Sequence, residues 1–236
     1  MIELEFPAKD NTIIHIKVLG KEELSSFENQ NVSPEEISHF YRKTIQKHTG
    51  ITREKIFLLN QEHGDNYYST RALKEEGIDR GDGMFSLNTG EALAIKTADC
   101  MPIFLFSPST GLIAALHSGW RGTMAGISEK FLFGEFPDTF PPDLKMYIGP
   151  CIRKDSYEIK EDVARYFMGY LGKAMEEKRG SYYLGLDEVL KIRVRKVHAE
   201  LEILDSEIDT MSNYEYYSHR RNEKGRNLNV IYREAP

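Results

Sequence analysis

The sequence predicts an α+β fold in which layers of β-sheet are covered by helices. Strand-like and helix-like segments are interleaved along the chain, but they do not follow strict βαβ alternation. Three consecutive apolar segments, residues 92–97, 102–106 and 112–116, predict strands that are buried on both faces. No linker-like stretch interrupts the 236 residues, which are enough to bury a substantial core. We therefore expect one domain over residues 1–236.

The amino-terminal elements are predicted from local signals. Residues 1–6 and 12–20 are rich in β-branched and apolar side chains and predict a hairpin. The Ser-Pro-Glu-Glu segment at 33–36 predicts a helix start, because serine can cap, proline suits the first helical position and the second glutamate can complete a capping box. Gly50 predicts the end of this helix. Residues 55–60 predict the next strand.

The later elements follow the three apolar strands. A helix is predicted to begin near Arg121, because apolar residues recur after it at helical spacing. Residues 146–148 predict another short strand. Residues 161–171 and 186–198 predict two further helices, which we expect to cover the sheet layers.

Composition and charge restrict the possible function classes. The formal net charge of -6 argues against bulk binding of nucleic acid, which requires a basic surface to release counterions. No apolar run approaches membrane length, and the first residues lack the pattern of a secretory signal. Two cysteines cannot form a disulfide framework, which favours a reducing compartment. We expect a cytoplasmic protein with neither a membrane nor a nucleic-acid partner.

Three residues that suit soft metals fall at the ends of predicted strands: His63, Cys100 and His117. Three nitrogen and sulfur ligands without an obvious fourth match a catalytic zinc, which keeps one position open. The same ligand set suits copper, with Met101 as a conceivable axial ligand. The long spacing leaves a structural alternative open, in which Cys100 is a small buried hydrophobe and the histidines bind backbone carbonyls.

Two acidic residues accompany these candidate ligands. Asp82 and Asp99 could act as a general base or as the hydrogen-bond partner of a ligand histidine. Either could instead be a turn or cap residue, and the glycines on both sides of Asp82 favour a turn. Cys100 and His117 could also form a nucleophilic pair without a metal, if nearby positive charge favours the thiolate.

Basic residues form two candidate anion sites. Arg121 lies between a strand end and a helix start, where free backbone N–H groups favour an anion. Residues 218–227, SHRRNEKGRN, contain Arg220 and Arg221 and form either a solvated basic turn or a phosphate clamp that folds back onto the metal site. The preceding tyrosines could stack on a base, but we expect them in the core. They are Tyr214, Tyr216 and Tyr217.

Several motifs in a fixed order resemble a known family. They are QEHG, RGDGMFSLNTGEALAIKTADCMPIFLF, AALHSGWRGTMAGI, YIGPCI followed by YEI, and YYSHRRNEKGRN. Residues 41–232 are similar in this way to the laccase-domain family of YfiH-type proteins, formerly called multicopper polyphenol oxidases. The resemblance implies a layered α/β/β/α sandwich with mixed sheets. It also implies purine nucleoside phosphorylase and adenosine deaminase activity.

The resemblance implies roles for individual residues. The family's three metal ligands fall on the two histidines and the cysteine identified above, and its usual Asn-Arg motif falls on Tyr41-Arg42, which adds Arg42 to the substrate site. Two departures concern the substrate pocket. Residues 209–210 are Asp-Thr where family members often have Cys-Thr, and residues 186–188 lack a frequent asparagine.

The implied reaction is phosphorolysis of adenosine, inosine, guanosine or methylthioadenosine. Phosphate held by Arg121, Arg220 and Arg221 would attack the anomeric carbon, while zinc polarises the departing purine or, in deamination, activates water. Three alternatives stay open: a copper-dependent polyphenol oxidase, a cysteine or metal hydrolase that edits peptidoglycan precursors, and a non-enzymatic binding protein with a structural zinc. The last requires a fourth ligand, and Cys151 is the other thiol in the chain.

Overall fold

Two β-sheets stack face to face, and helices cover their outer faces. The computed structural model describes residues 1–24 and 33–234. One sheet has five strands and the other has six, and a small three-stranded sheet packs into the outer core of the six-stranded sheet. The predicted α+β class and its layered α/β/β/α arrangement are confirmed.

The elements are numbered in chain order. The strands are β1 Ile2–Pro7, β2 Ile13–Leu19, β3 Ile56–Leu58, β4 Tyr67–Ser69, β5 Gly83–Ser86, β6 Ala92–Thr97, β7 Met101–Ser107, β8 Leu112–Ser118, β9 Lys145–Ile148, β10 Glu158–Ile159, β11 Met175–Lys178, β12 Ser181–Leu184, β13 Glu202–Asp205 and β14 Asn227–Arg233. The α-helices are α1 Lys21–Leu24, α2 Pro34–Thr49, α3 Thr70–Glu76, α4 Trp120–Ala125, α5 Ile127–Glu135, α6 Glu161–Ala164 and α7 Leu186–Val197. Short 3-10 turns span Arg53–Lys55, Lys154–Ser156 and Met168–Tyr170.

The five-stranded sheet has the order β1-β2-β14-β6-β3. The first two strands form the predicted antiparallel hairpin. β14 lies between β2 and β6 and pairs antiparallel with both, whereas β3 runs parallel to β6. Because side chains alternate between the faces of a strand, Ile14 and Ile16 pack into the core between the sheets, while His15 stacks on Tyr232 on the opposite face.

The six-stranded sheet has the order β13-β9-β7-β8-β5-β4. Every residue of β7 and β8 is buried, which confirms the prediction from their continuous apolar sequence. Phe104 and Phe106 of this sheet meet Leu93 and Ile231 of the five-stranded sheet in the core between the two. This stack fixes the strand ends from which the candidate site is built.

The predicted helix after residue 33 is α2, and its capping box is present. The backbone N–H of Glu36 donates to Ser33 Oγ at 3.2 Å, and the backbone N–H of Ser33 donates to the Glu36 carboxylate at 2.7 Å. The helix ends at Gly50, as predicted. Tyr41 and Ile45 pack α2 onto the outer face of the five-stranded sheet.

The predicted helix near Arg121 is present but is divided in two. α4 ends and α5 begins at Gly126, whose φ of 80° lies in the left-handed region that glycine adopts without a Cβ clash. Phe131 and Leu132 are buried, so α5 covers the outer face of the six-stranded sheet together with α7. The helix predicted at 186–198 corresponds to α7.

The single helix predicted over 161–171 is wrong. α6 ends at Ala164, and a separate 3-10 turn follows at Met168–Tyr170. Phe167, which lies between these two elements in the sequence, is 1% exposed and packs into the outer core of the six-stranded sheet. Glycines at 169 and 172 disfavour a continuous helix.

The predicted strand at 92–97 is β6, but it lies in the five-stranded sheet, whereas β7 and β8 lie in the six-stranded sheet. The chain therefore crosses between the sheets just before Cys100. Within the described residues, no helix is long and apolar enough to cross a bilayer. The expectation of one domain over residues 1–236, part of which lies outside the described residues, stays a prediction.

Candidate metal centre

Three strand ends bring His63, Cys100 and His117 together. His117 lies in β8, and Cys100 precedes β7, which pairs with β8 so that Met101 is opposite Ser118. His63 follows β3 in a tight loop with a φ of 60°. One ligand atom of each of the three residues lies within 4.8 Å of the other two. The two imidazole rings are 4.8 Å apart between centroids and nearly perpendicular, at 79°.

Asp82 organises two of these three residues. Its carboxylate is 1% exposed and accepts the backbone N–H groups of Gly64 at 2.7 Å, His63 at 2.9 Å and Glu62 at 3.2 Å. It also bonds to Nδ1 of His117 at 2.8 Å. Burial opposes ionisation of this carboxyl, but these hydrogen bonds hold its pKa below the usual range. Asp82 therefore fixes the His63 loop and leaves Nε2 of His117 for the centre.

The thiol and the imidazole perturb each other. Burial raises the pKa of Cys100, but hydrogen bonds with His117 and His63 outweigh it and lower this pKa to about 6. Burial lowers the pKa of His117, but hydrogen bonds with Asp82 and Cys100 raise it to about 9. Each of the two side chains therefore favours the charged form of the other, the thiolate of Cys100 and the imidazolium of His117.

Gly119 lies against two of the candidate ligands. A Cβ atom at this position would stand 2.9 Å from Cys100 Sγ and 3.4 Å from Cδ2 of His63, closer than side chains normally approach. The absence of a side chain thus keeps space beside the sulfur. One cysteine sulfur and two imidazoles lie close enough to bind a single ion. This donor set and the space beside the sulfur fit zinc or copper.

The candidate centre opens into a cavity of about 300 Å³. The Arg121 guanidinium lies over the Trp120 ring at 4.4 Å from its centroid. On another part of the wall, the Arg220 guanidinium lies over the Tyr157 ring at 4.9 Å. Burial raises the pKa of Tyr157 to about 12, so its phenol stays protonated at neutral pH. The lining residues are His63, Ala98, Asp99, Cys100, Gly119, Trp120, Arg121, Ile152, Tyr157, Leu186, His219 and Arg220.

Asp99 connects the short loop between β6 and β7 to the long loop between β13 and β14, residues 206–226, which is called the carboxyl-terminal loop below. One oxygen of its carboxylate accepts the Thr210 hydroxyl at 2.7 Å, and the other accepts the backbone N–H of Arg220 at 2.8 Å. Its φ of 82° is unusual for a residue other than glycine. Asp99 therefore holds Arg220 beside the cavity, a role that the sequence did not reveal because its partners are distant in the chain.

Two of the arginines suggested for the substrate and phosphate site point elsewhere. The Arg42 guanidinium bonds to the backbone carbonyl of Ile56 and lies outside the cavity lining. The Arg221 guanidinium bonds to the carbonyls of Thr210 and Met211 and to the Glu223 carboxylate at 3.1 Å. Both side chains fasten backbone segments in this structure. Arg121 and Arg220 are the suggested arginines that line the cavity.

Cys151 lies apart from the centre. It is completely buried in the outer core of the six-stranded sheet, and burial raises the pKa of its thiol far above the ordinary range. Among the residues that the structure describes, the ligand cluster at this place contains only the three residues named above. An ion held by these three residues would have three protein ligands, the number found in catalytic zinc sites.

The tyrosines before the basic segment divide into two kinds. Tyr216 and Tyr217 are each 2% exposed, as expected for core residues. The expectation is wrong for Tyr214, which is 73% exposed. The Arg221 guanidinium lies over the Tyr214 ring, 4.8 Å from its centre, so this exposed ring makes a cation–π contact instead of packing into the core.

The sequence model of the family described as multi-copper polyphenol oxidoreductase laccase matches residues 28–234. The chain belongs to this family. Curated relatives of this chain include a purine nucleoside phosphorylase of Deinococcus radiodurans, which is 34% identical over 143 residues, or 58% of this chain and 54% of that protein. The chain thus spans about half the length of that relative. The purine nucleoside phosphorylase YfiH of Escherichia coli is 29% identical over 74% of this chain and 72% of its own.

Two solved structures of similar proteins have the same fold. YlmD from Geobacillus stearothermophilus superposes with a TM-score of 0.75 at 21% identity and covers 95% of this chain and 92% of its own. A Neisseria meningitidis protein superposes with a TM-score of 0.77 at 22% identity and covers 99% of each chain. These likenesses establish the layered architecture.

Proposed function

We propose that the chain is a zinc-dependent purine nucleoside phosphorylase that also deaminates adenosine. The observation that carries the proposal is a three-ligand cluster with an open side, facing a cavity into which two arginines project. The name purine nucleoside phosphorylase given to several curated relatives supports the same reaction class. The substrates are a purine nucleoside and inorganic phosphate.

His63, Cys100 and His117 would hold the metal, with Asp82 orienting His117. Their donor atoms, one sulfur and two nitrogens, suit zinc and leave an open coordination position. A bound zinc ion supplies a Lewis acid at the floor of the cavity. The lowered pKa of Cys100 favours the thiolate, which is the form that binds a metal.

Arg121 and Arg220 would bind phosphate. Each is anchored over an aromatic ring, Trp120 and Tyr157 respectively, which reduces the freedom of a long side chain. In phosphorolysis, a phosphate oxygen forms a bond to the anomeric carbon while the glycosidic C–N bond breaks, and the purine leaves with the bonding electrons. The arginines hold the nucleophile in position and compensate its charge. Arg42 and Arg221 then serve the site indirectly, by fixing backbone.

The protonated phenol of Tyr157 is a suitable hydrogen-bond donor for the leaving purine or for a sugar hydroxyl. Its pKa of about 12 means that it remains a donor throughout the neutral range. The flat faces of Tyr157 and Trp120 also line the cavity, which suits a planar base. The purine is therefore expected to lie between the candidate metal ligands and these rings.

A thiol hydrolase is a second candidate function, because Cys100, His117 and Asp82 form a hydrogen-bonded chain of nucleophile, base and orienting carboxylate. In that reaction the thiolate would attack a carbonyl carbon, and the imidazolium would return a proton to the leaving group. Such an enzyme would need no phosphate and no metal. An amide of a peptidoglycan precursor is the substrate class suggested by the family resemblance.

Adenosine turnover with and without phosphate separates the two functions. Wild type, Cys100→Ala and the control Cys151→Ala would be compared, and adenine, inosine and hypoxanthine would be separated chromatographically. We expect phosphate-dependent adenine release in wild type and in Cys151→Ala, lost in Cys100→Ala. Inosine formed without phosphate would support the deaminase activity alone. No adenosine turnover by a folded, zinc-loaded wild type would refute the proposal and favour the hydrolase.

A further inference from the structure

A second group of metal-ligating side chains lies on the amino-terminal hairpin, far in sequence from the candidate metal centre. This hairpin cluster comprises Glu3 and Glu5 on β1, His15 on β2 and Glu234 directly after β14. Glu5 is opposite His15 in the antiparallel register. The alternating residues of β1 face the core between the sheets, so the cluster occupies the other face of the five-stranded sheet.

The His15 side chain is held in one orientation. Only 5% of it is exposed, and its ring stacks on Tyr232 with 4.6 Å between centroids and an angle of 7°. Its Nε2 lies 2.8 Å from a carboxylate oxygen of Glu234. Because a carboxylate accepts, Nε2 carries the proton. A carboxylate on the outer nitrogen of an imidazole is the usual support of a metal-binding histidine.

The other ring nitrogen of His15 is buried and makes no hydrogen bond. It lies 3.4 Å from a carboxylate oxygen of Glu5. Donor atoms of Glu3, Glu5 and His15 all lie within 4.8 Å of one another. Nδ1 therefore lies beside the Glu5 carboxylate without a hydrogen bond of its own, with Glu3 in the same group, an arrangement that a metal cation would complete.

We propose that the hairpin cluster is a second metal site, in which Nδ1 of His15 and the carboxylates of Glu5 and Glu3 bind a divalent ion such as Zn²⁺. One imidazole and two carboxylates are ordinary zinc ligands. Glu234 is a positioning residue that sets the ring. The inference is independent of the proposed enzymatic function, because no residue is shared with the candidate metal centre.

Lys17 currently occupies part of this site. Its ammonium group pairs with Glu3 at 2.7 Å and also donates to the backbone carbonyl of His48 at 2.8 Å. Binding of a divalent ion replaces the Lys17–Glu3 pair, while the bond to His48 can remain. The metal would then tie β1, β2 and the end of β14 together, which predicts a structural role.

Zinc binding by equilibrium dialysis tests the proposal, with Cys100→Ala as the background that removes a ligand from the candidate metal centre. We expect Cys100→Ala to retain one zinc ion per chain. Adding Glu5→Gln should weaken that binding at least tenfold, and adding Glu234→Gln should weaken it about 10-fold through loss of ring orientation. Glu5 is 57% exposed, so its replacement should leave the fold intact, which circular dichroism would verify.

The matched control is Glu177→Gln, which changes an exposed glutamate on β11 outside the cluster. Its addition to Cys100→Ala should leave zinc affinity unchanged. The proposal is overturned if Cys100→Ala binds no zinc, or if Glu5→Gln and Glu177→Gln have the same effect. The second result would assign the bound ion to the remaining histidines of the candidate metal centre.

Discussion

The Asp82 carboxylate contacts the ring of one candidate ligand and the backbone of another. Asp82→Asn keeps the shape of the side chain but replaces one acceptor oxygen with an NH2 group. This group is a donor and cannot accept the backbone N–H groups that now point at the carboxylate. We expect zinc affinity at the candidate metal centre to fall by about 10- to 100-fold. Competition with a zinc chelator would measure the zinc affinity of the variant and of the wild type.

Glu91→Gln is the control for Asp82→Asn, because Glu91 is also buried and accepts hydroxyl groups from Thr70 and Ser86. It should lower the free energy of unfolding without changing zinc affinity. Equal losses of zinc affinity in the two variants would contradict the role assigned to Asp82.

Gly119 gives a second prediction at the scale of one residue. Gly119→Ala places a methyl group 2.9 Å from Cys100 Sγ, so the sulfur must move and zinc binding should weaken by at least tenfold. Gly169→Ala is the matched control, since a Cβ there meets no atom within 4 Å. Zinc titration of both variants would measure the difference, and an unaltered affinity in Gly119→Ala would show that the space beside the sulfur is unused.

The coupled thiolate and imidazolium predict how the stability of the metal-free protein depends on pH. The pKa of Cys100 falls from 9.0 to about 6 on folding, so its contribution is complete above pH 9 and is lost as pH falls through 6. The pKa of His117 rises from 6.5 to about 9, so its contribution is complete below pH 6.5 and is lost as pH rises through 9.

Between about pH 6.5 and 9 the Cys100 contribution grows with pH while the His117 contribution shrinks, so the two changes offset each other. In Cys100→Ala only the His117 contribution remains, supported by Asp82, so the free energy of unfolding of this variant should fall as pH rises above 6.5, whereas that of the wild type should stay nearly level up to pH 9. Parallel pH profiles of the two proteins in urea unfolding would exclude the thiolate–imidazolium pair.

At the scale of elements, local sequence signals succeeded where the structure depends on neighbours in the chain. The capping box before α2 and the alternating hairpin of β1 and β2 were predicted because a few adjacent residues determine them. The three candidate ligands were chosen from the sequence because histidine and cysteine at strand ends suit a metal, and the family resemblance supported the choice. The structure brings them together, and their role as metal ligands stays a prediction.

Other features of the structure were missed. The four residues of β11, Met-Glu-Glu-Lys, resemble a solvated loop because three of them are charged, and they form a strand by pairing with β12, which follows after a two-residue turn. β6 was predicted as a strand, but its sheet is decided by β14, which lies far along the sequence. The contacts of Asp99 with the carboxyl-terminal loop were invisible for the same reason.

The carboxyl-terminal loop gives a prediction at this scale. Thr210→Val removes the hydroxyl that donates to Asp99, leaving a buried acceptor without its partner. The free energy of unfolding should fall by about 1–3 kcal/mol. Because Asp99 also holds Arg220, the KM for phosphate should rise several-fold with a smaller change in kcat.

Thr70→Val is the matched variant for Thr210→Val, since it removes a similar buried hydroxyl bond, to Glu91 at 2.7 Å. It should cost comparable stability and leave the KM for phosphate unchanged. Phosphate saturation curves for the two variants decide whether the Asp99 link acts on the substrate site or on stability alone.

At the scale of the whole molecule, the contact between the two sheets should dominate stability. Phe106 of the six-stranded sheet is completely buried, and its ring centroid lies 4.5 Å from that of Phe6 in the five-stranded sheet. Phe106→Ala should lower the free energy of unfolding by about 3–5 kcal/mol. Phe133→Ala, at a side chain that is 62% exposed, should change it by less than about 0.5 kcal/mol. Urea denaturation would compare them.

The position of β14 has a consequence for synthesis of the chain. A ribosome delivers β2 and β6 long before the strand that must lie between them, and His15 meets Glu234 across 219 residues of sequence. Until then the two strands have unpaired edges facing each other across a gap, and such edges invite pairing with other nascent chains. We expect this interval to be the step at which the protein most depends on chaperones.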